Sequence, residues 1–198
     1  VEASLPQVQV SDTLKAMESL GIASRERSAA FRIAVTGSVG KTSTKDALKT
    51  VLKDQGRTHG SISSYNNHWG VPLTLALMPQ DTQFAVFEVG MNHAGEIRPL
   101  TQMIQPHVAI ITSIEEAHAE FFASIEDIAR AKAEIFEGMS VGGSVVLNRD
   151  NLYFELLSSL AQVRSLNVYG FGRSEKADFR LLSWENKPDK SKVTAQVG

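Results

Sequence analysis

Residues 35–43 read Val-Thr-Gly-Ser-Val-Gly-Lys-Thr-Ser and lie between an apolar run and a helical pattern. A phosphate group needs backbone N–H groups that approach it without an obstructing Cβ, which Gly37 and Gly40 allow, and a helix N-terminus adds partial positive charge. In this pattern Lys41 reaches the terminal phosphates and the Thr42 hydroxyl holds Mg²⁺. Because Val35 stands where the full motif has its first glycine, a strand–helix turn with a chance lysine remains the alternative.

The segments around this phosphate loop (residues 37–43) alternate between strand-like and helix-like patterns. Apolar runs typical of strands covered on both faces lie at 31–35, 84–87, 108–111 and 144–147. Helical patterns start at residue 42 and lie at 97–104, 124–139 and 151–162. Strand–helix–strand order implies parallel pairing with right-handed crossovers. We therefore predict an α/β fold with a mostly parallel, P-loop NTPase-like sheet flanked by helices.

The two ends of the chain depart from this alternation. Near the N-terminus, residues 11–20 predict one amphipathic helix with Ser11 as its N-cap, followed by a polar connector at 24–28. Near the C-terminus, residues 179–184 and 193–197 flank a polar turn. This arrangement predicts a short antiparallel β element at the end of the sheet.

The composition narrows the classes of function. The 198 residues include 20 Lys and Arg and 22 Asp and Glu, which gives a formal charge of −2. The sequence has no basic stripe, so we expect no nucleic-acid partner. No apolar run reaches the roughly 18 residues of a membrane-spanning helix, so we expect no membrane insertion. The lack of cysteine excludes disulfides and cysteine-based metal sites, which fits a cytoplasmic protein.

Three side chains outside the phosphate loop are candidates for chemistry. Glu88 ends the run 84–87, where a carboxylate can reach the ligand crevice of an open sheet or simply face solvent. His118 follows the run 108–111 and could ligate a metal, although a loop histidine is more often a surface residue. Lys132 falls on the apolar face of its helical pattern, so its amine either snorkels to water or stays semi-buried with a lowered pKa.

Two polar loops, residues 64–72 and 90–96, either carry substrate contacts or only connect elements. Taken together, these segments resemble the central ATP-binding domain of the Mur ligases over residues 10–198. The segments that carry the resemblance occur in family order at 36–43, 66–67, 70–74, 87–93, 117–121, 131–136 and 148–151. The Asn-Asn, Asn-His-x-Gly-Glu and Lys-x-Glu-Ile-Phe segments are similar to those of the family members that add D-alanyl-D-alanine.

The resemblance implies ATP and Mg²⁺ as cofactors, with Mg²⁺ served by Thr42, Glu88 and His118. It also implies that Lys132 matches a family lysine that CO₂ can carbamylate, which turns a cation into an anion that helps to hold a second Mg²⁺. The implied catalytic residues are Lys41, Glu88, His118 and Lys132. The implied ATP-binding residues are Gly37, Ser38, Val39, Gly40, Lys41, Thr42 and Ser43, and the implied substrate-binding residues are Asn66, Asn67 and His93.

The implied reaction is ATP-driven peptide-bond formation, which joins D-alanyl-D-alanine to UDP-N-acetylmuramoyl-tripeptide through an acyl phosphate in peptidoglycan precursor synthesis. Another amide ligase of the superfamily, such as a folylpolyglutamate synthetase, and a nucleotide-binding module without ligation are the alternatives. The family pattern makes residues 1–28 the tail of an N-terminal UDP-sugar-binding domain with a linker helix. It makes residues 29–198 a central domain incomplete at its C-terminus, so we expect the chain alone to be inactive, and we expect a monomer.

Overall fold

The computed structural model describes residues 7–116 and 121–198. Within them the helices are α1 Thr13–Glu26, α2 Lys41–Lys53, α3 Gly70–Ala76, α4 Ile97–Ile104, α5 Ile125–Ala133 and α6 Phe154–Val163. A 3₁₀ helix over Glu134–Gly138 continues α5. None of the helices in the described part of the chain is long and apolar enough to cross a bilayer.

The strands form one sheet. They are β1 Phe31–Thr36, β2 Thr58–Gly60, β3 Phe84–Glu88, β4 Val108–Ile111, β5 Ser144–Asn148, β6 Asn167–Gly172, β7 Phe179–Asn186 and β8 Ser191–Val197. Their order in space is β2-β3-β1-β4-β5-β6-β7-β8. Every neighbouring pair from β2 to β7 is parallel, and only β7 and β8 pair antiparallel. The predicted fold, including the antiparallel element near the C-terminus, is confirmed.

Helices cover both faces of the sheet, which explains why its central strands are apolar without interruption. Ile33 and Val35 of β1 form a small core with Val86 under α2, where Leu48 packs against them. Ala34, which points to the opposite face, belongs to the larger core formed with α3, α4, α5 and α6. Successive side chains of a strand point to opposite faces, so each face needs its own apolar set.

The N-terminal helix starts later than the sequence predicts. The side-chain oxygen of Asp12 accepts the backbone N–H of Lys15 at 3.0 Å, so Asp12 is the N-cap and the prediction of Ser11 is wrong. Aspartate and serine both suit this position, and the position of the first helical turn decides between them.

The predicted polar connector at residues 24–28 is wrong over its first half, because α1 continues through it. Arg25 is only 8% exposed, and its guanidinium donates to the carbonyl oxygen of Met103 at 2.9 Å, near the end of α4. The last carbonyl groups of a helix have no partners within the helix. Arg25 is thus buried because it donates to a carbonyl oxygen at the end of a neighbouring helix. The local sequence does not reveal this partner.

Three elements lie in segments that the sequence pattern leaves as connections. The strand β2 has only three residues, and β6 contains two glycines. The helix α3 begins within the polar loop at 64–72 and ends at Ala76, and just before it the Asn67 side chain accepts the backbone N–H groups of Trp69 and Gly70 at 3.1 and 2.9 Å. Pro72 is tolerated because a residue in the first helical turn has no intrahelical acceptor for an N–H.

Candidate active site

The candidate functional residues collect where the carboxyl ends of β1, β3 and β4 meet. β1 lies between β3 and β4. The connection after β1 leads to β2, on the β3 side of the sheet, whereas the connection after β3 leads to β4, on the other side of β1. An open parallel sheet binds ligands in the crevice at such a reversal of strand order. The phosphate loop follows β1 at this point, and Glu88 is the last residue of β3.

The phosphate loop is held in shape by the segment after β4. The backbone N–H of Ser38 donates to the carbonyl oxygen of Ser113 at 2.9 Å, and the Ser38 hydroxyl donates to the carbonyl oxygen of Glu115 at 3.1 Å. The hydroxyl of Thr112 donates to the carbonyl oxygen of Val39 at 2.5 Å. Hydrogen bonds to the segment after β4 therefore hold the phosphate loop in its conformation.

The two glycines of the loop are required by its backbone. Gly37 has φ +147°, and a Cβ added there would collide with the side-chain oxygen of Thr112. Gly40, directly before α2, has φ +85°. L-residues rarely adopt such conformations. The two glycines thus keep side chains away from the loop at a helix N-terminus, which is a geometry that fits phosphate.

Lys41 lies over this loop. Its ammonium donates to the carbonyl oxygens of Gly37 at 2.7 Å and Ser38 at 3.3 Å. Burial lowers the pKa of Lys41, and the negative charge of Glu88 partly offsets that effect. The amine is thus placed as a positive charge between the loop and a carboxylate.

Glu88 is buried, with 1% of its surface exposed, so the alternative that it faces solvent is wrong. The Thr42 hydroxyl donates to its Oε2 at 2.9 Å, and the Asn66 side-chain amide donates to its Oε1 at 2.8 Å. A buried carboxylate needs such donors to offset the loss of water. The pair of Thr42 and Glu88 presents two oxygen ligands of the kind that Mg²⁺ prefers. The described residues contain no cluster of three or more His, Cys, Asp or Glu side chains that could hold a metal.

Lys132 lies on the inward face of α5 and is 2% exposed, so the alternative that its amine snorkels to water is wrong. Burial, and to a smaller extent the positive charge of Lys41, together lower its pKa to about 7. The side chains of Lys132 and Glu88 therefore both lie within electrostatic range of Lys41.

The remaining predicted site residues are His118, Asn67 and His93. His118 lies among residues 117–120, outside the described residues. Asn67 lies before α3, and its side-chain oxygen accepts the backbone N–H groups of Trp69 and Gly70. His93 is exposed, with its Nδ1 3.0 Å from Glu96 Oε1 and its ring 4.6 Å from that of Phe121. These hydrogen bonds of Asn67 and His93 stay within their own loops, whereas Asn66 reaches Glu88.

Sequence reasoning missed two buried charges beside the site. Lys45, one turn after Thr42 on α2, is 1% exposed. Glu134 accepts the backbone N–H groups of Gly95 at 2.7 Å and Arg98 at 3.2 Å, so it holds the loop at 90–96. Lys45 could have been found from its spacing, because residues three apart share a helix face. The contacts of Glu134 have no such signal, since its partners lie 36 and 39 residues away in sequence.

Residues 35–197 match the family model described as the Mur ligase middle domain. The UDP-N-acetylmuramoyl-tripeptide–D-alanyl-D-alanine ligase of Rickettsia prowazekii is 43% identical over 179 residues, which are 90% of this chain and 40% of that protein. The chain thus spans 35–40% of the length of two such relatives.

Solved structures agree with this match. A crystal structure of MurF from Acinetobacter baumannii superposes with a TM-score of 0.88 at 32% identity, and the match covers all of this chain and 43% of the other. A MurF ligase from Thermotoga maritima in complex with ADP gives a TM-score of 0.84 over 99% of this chain and 45% of the other. At 23% identity the second match shows the fold alone.

Proposed function

This chain belongs to the Mur ligase family, and from that premise we propose that the protein joins D-alanyl-D-alanine to UDP-N-acetylmuramoyl-tripeptide at the expense of ATP. The observation that carries the proposal is the hydrogen bond of 2.9 Å between Thr42, at the end of the phosphate loop, and the buried Glu88. This contact joins the phosphate loop to a buried carboxylate, which supports a shared site for a triphosphate and a metal ion. The identity with the Rickettsia prowazekii ligase supports the choice of substrates. Both ATP and a UDP-linked acceptor are consistent with action in the cytoplasm.

The residues present fit a magnesium ion together with ATP. Thr42 and Glu88 would hold the ion through their oxygens, and the resemblance adds His118 to this set. When bound, Mg²⁺ neutralises negative charge on the phosphates. The remaining residues of the loop, from Gly37 to Ser43, would hold the phosphates through backbone N–H groups and the Lys41 ammonium.

The chemistry then proceeds in two transfers. A carboxylate oxygen of the tripeptide attacks the γ-phosphorus of ATP, the bond to the β–γ bridging oxygen breaks, and an acyl phosphate and ADP form. The amine of D-alanyl-D-alanine attacks the acyl carbon, loses a proton and displaces inorganic phosphate. Phosphoryl transfer depends mostly on positioning and on charge neutralisation, which Lys41 supplies from its place beside the loop.

We propose that Lys132 is carbamylated in the active protein. A neutral amine is needed to attack CO₂, giving a carbamate and releasing one proton. With a pKa of about 7, roughly half of the Lys132 amines are neutral near pH 7, far more than for an ordinary lysine. Carbon NMR with labelled bicarbonate on the full-length protein tests this, with Lys132→Arg as the control. The absence of any carbamate signal, together with full activity of Lys132→Ala, would contradict it.

We also propose that Asn66, Asn67 and His93 mark the side from which the muramoyl-peptide enters. A cavity of about 280 Å³ is lined by Tyr65, Asn67 and Trp69 of this loop, by Gly70 and Leu73 of α3, and by Met17 of α1. The hydrogen bond from Asn66 to Glu88 connects the loop to the candidate metal site.

The function is tested by supplying the full-length protein with ATP, Mg²⁺, UDP-N-acetylmuramoyl-tripeptide and D-alanyl-D-alanine. We expect phosphate release that requires both acceptors, and a pentapeptide product detected by mass. Ligation of glutamate to a folate with no muramoyl product would favour the folylpolyglutamate synthetase alternative. Nucleotide-dependent binding of a partner without phosphate release would favour a module that does not ligate.

A further inference from the structure

Lys45 is a buried lysine that the reaction described above does not use. Its side chain lies on α2 and is 1% exposed. The ammonium donates to the carbonyl oxygens of Ser63 at 2.7 Å and Ser61 at 3.4 Å, and it pairs with Asp46 Oδ1 at 3.0 Å. A buried ammonium is costly unless hydrogen bonds and an opposite charge compensate for the lost water. These partners provide that compensation, so the lysine and the segment at 61–63 hold each other in place.

The segment held by Lys45 is under constraint at both of its anchored residues. The Ser61 hydroxyl accepts the backbone N–H of Glu88 at 3.2 Å, and Ser61 is fully buried. Ser63 has φ +49°, a left-handed conformation that few residues other than glycine adopt. A backbone in this conformation persists only where its surroundings determine it. Here the surroundings include the Lys45 ammonium.

Three residues after Ser63 the chain reaches Asn66, whose amide donates to Glu88 Oε1 at 2.8 Å. On the other side, Thr42 donates to Glu88 Oε2 from α2 itself. Thr42 and Lys45 are three residues apart and lie on the same face of that helix. One helix therefore controls both oxygens of Glu88, directly through Thr42 and through the anchored segment that leads to Asn66.

We propose that Lys45 is a positioning residue that locks residues 61–66 against α2, so that Asn66 keeps the Glu88 carboxylate turned toward Thr42. This inference rests on the proposed ligase function for its effect on turnover. The phosphate loop itself is held by residues 112–115, on the far side of β1. Loss of Lys45 is therefore expected to affect the chemical step more than the binding of the nucleotide.

The test compares Lys45→Met with Lys49→Met in the full-length protein. Lys49 lies one turn further along α2 and donates to the carbonyl oxygens of Gly60 and Ser61, but its contacts do not reach Ser63. Methionine keeps the length of the side chain and removes the charge and the donors. We expect Lys45→Met to lower kcat at least tenfold with the KM for ATP changed less than threefold. The Lys49→Met control is expected to change both by less than twofold.

A second readout does not depend on activity. Residues 1–198 contain two tryptophans, Trp69, three residues after Asn66, and Trp184 on β7, so in this chain expressed by itself Trp184→Phe leaves Trp69 as the only tryptophan. In that background we expect Lys45→Met to shift the Trp69 emission maximum and Lys49→Met to leave it in place. If the wild-type protein does not ligate, the proposed function fails, and the Trp69 emission alone decides the role of Lys45.

Wild-type kcat and emission in Lys45→Met would overturn the inference, as would equal losses in both variants, which indicate general weakening of α2. If Lys45→Met does not fold, Lys45→Gln takes its place under the same criteria. If neither folds, NMR of the wild-type protein decides through the scalar coupling across the hydrogen bond from the Lys45 ammonium to the Ser63 carbonyl. Absence of that coupling would overturn the inference, and its presence would support the anchor.

Discussion

At the level of single residues, the proposed binding of ATP depends most directly on Lys41. Its ammonium already lies against the phosphate loop, within 2.7 Å of the Gly37 carbonyl oxygen. We expect Lys41→Ala to weaken ATP binding at least tenfold, which is about 1.4 kcal/mol, because a charge contact with the phosphates is lost. Calorimetric titration with an ATP analogue measures this, with the exposed Lys53→Ala on the same helix as the control. Equal affinities of the two variants would contradict the assignment.

The buried amine of Lys132 predicts a stability that depends on pH. Its pKa in the folded protein is lowered to about 7 by burial, whereas an unfolded lysine titrates near its ordinary value of about 10.4. Between these values only the unfolded chain binds the proton. The Lys132 contribution to the free energy of unfolding should therefore rise with pH by up to about 1.4 kcal/mol per pH unit, and it should level off below 7 and above 10.4.

Urea unfolding of the wild type and of Lys132→Met from pH 6 to pH 10 isolates this contribution as the difference between the two proteins. Methionine should remove the slope because it carries no titrating amine. Lys53→Met, at an exposed position, should keep it. Parallel pH curves for the wild type and Lys132→Met would show that Lys132 is charged in the folded protein.

At the scale of elements, the phosphate loop depends on the absence of a side chain at Gly37. A Cβ there meets both the Thr112 side chain and the Ser113 backbone nitrogen, whereas at Gly142, with φ +80°, a Cβ meets nothing within 4 Å. Both substitutions by alanine strain the backbone, but only Gly37→Ala adds a collision. We expect it to cost about 1–3 kcal/mol more than Gly142→Ala in denaturant unfolding. Equal costs would show that the loop adjusts freely.

The helix α1 is held to α4 by one buried guanidinium. Arg25→Met should leave the Met103 carbonyl oxygen without its partner and cost about 1–3 kcal/mol of unfolding free energy. The neighbouring Arg27 is exposed, so Arg27→Met should cost less than about 1 kcal/mol. Chemical denaturation of both variants provides the comparison. A larger loss in Arg27→Met would refute the role of Arg25.

At the scale of the whole molecule, residues 1–198 expressed by themselves are expected to fold and to bind ATP without ligating. Folding follows from a sheet whose two faces are covered within this chain. Ligation requires three reacting groups to be held together, and such positioning accounts for about 7–11 kcal/mol of a barrier. The site described here is an open edge on which Val39 is 64% exposed. The assay supplies both substrates and seeks the pentapeptide by mass, with the longer Rickettsia prowazekii relative as the control. Comparable rates would contradict this account of the positioning.

The features that depend on neighbours along the chain could be predicted from the amino-acid sequence. The strands around 31–35, 84–87, 108–111 and 144–147 follow from continuous apolar runs, because both faces of a central strand are buried. The phosphate loop follows from two glycines and a lysine at a strand–helix junction, since each acts through its own backbone or its own charge. These features are local. The parallel direction of neighbouring strands follows from the alternation of strands and helices along the chain.

The partners and the burial of the polar residues at the site follow from the fold and not from the local sequence. Asn66 reaches Glu88 across 22 residues of sequence, and Arg25 reaches Met103 across 78. The burial of Lys132 resolved two interpretations that its helical position left open. The physical reason is that a buried polar group is stable only with a partner, and that partner is chosen by packing between distant elements rather than by spacing along the chain.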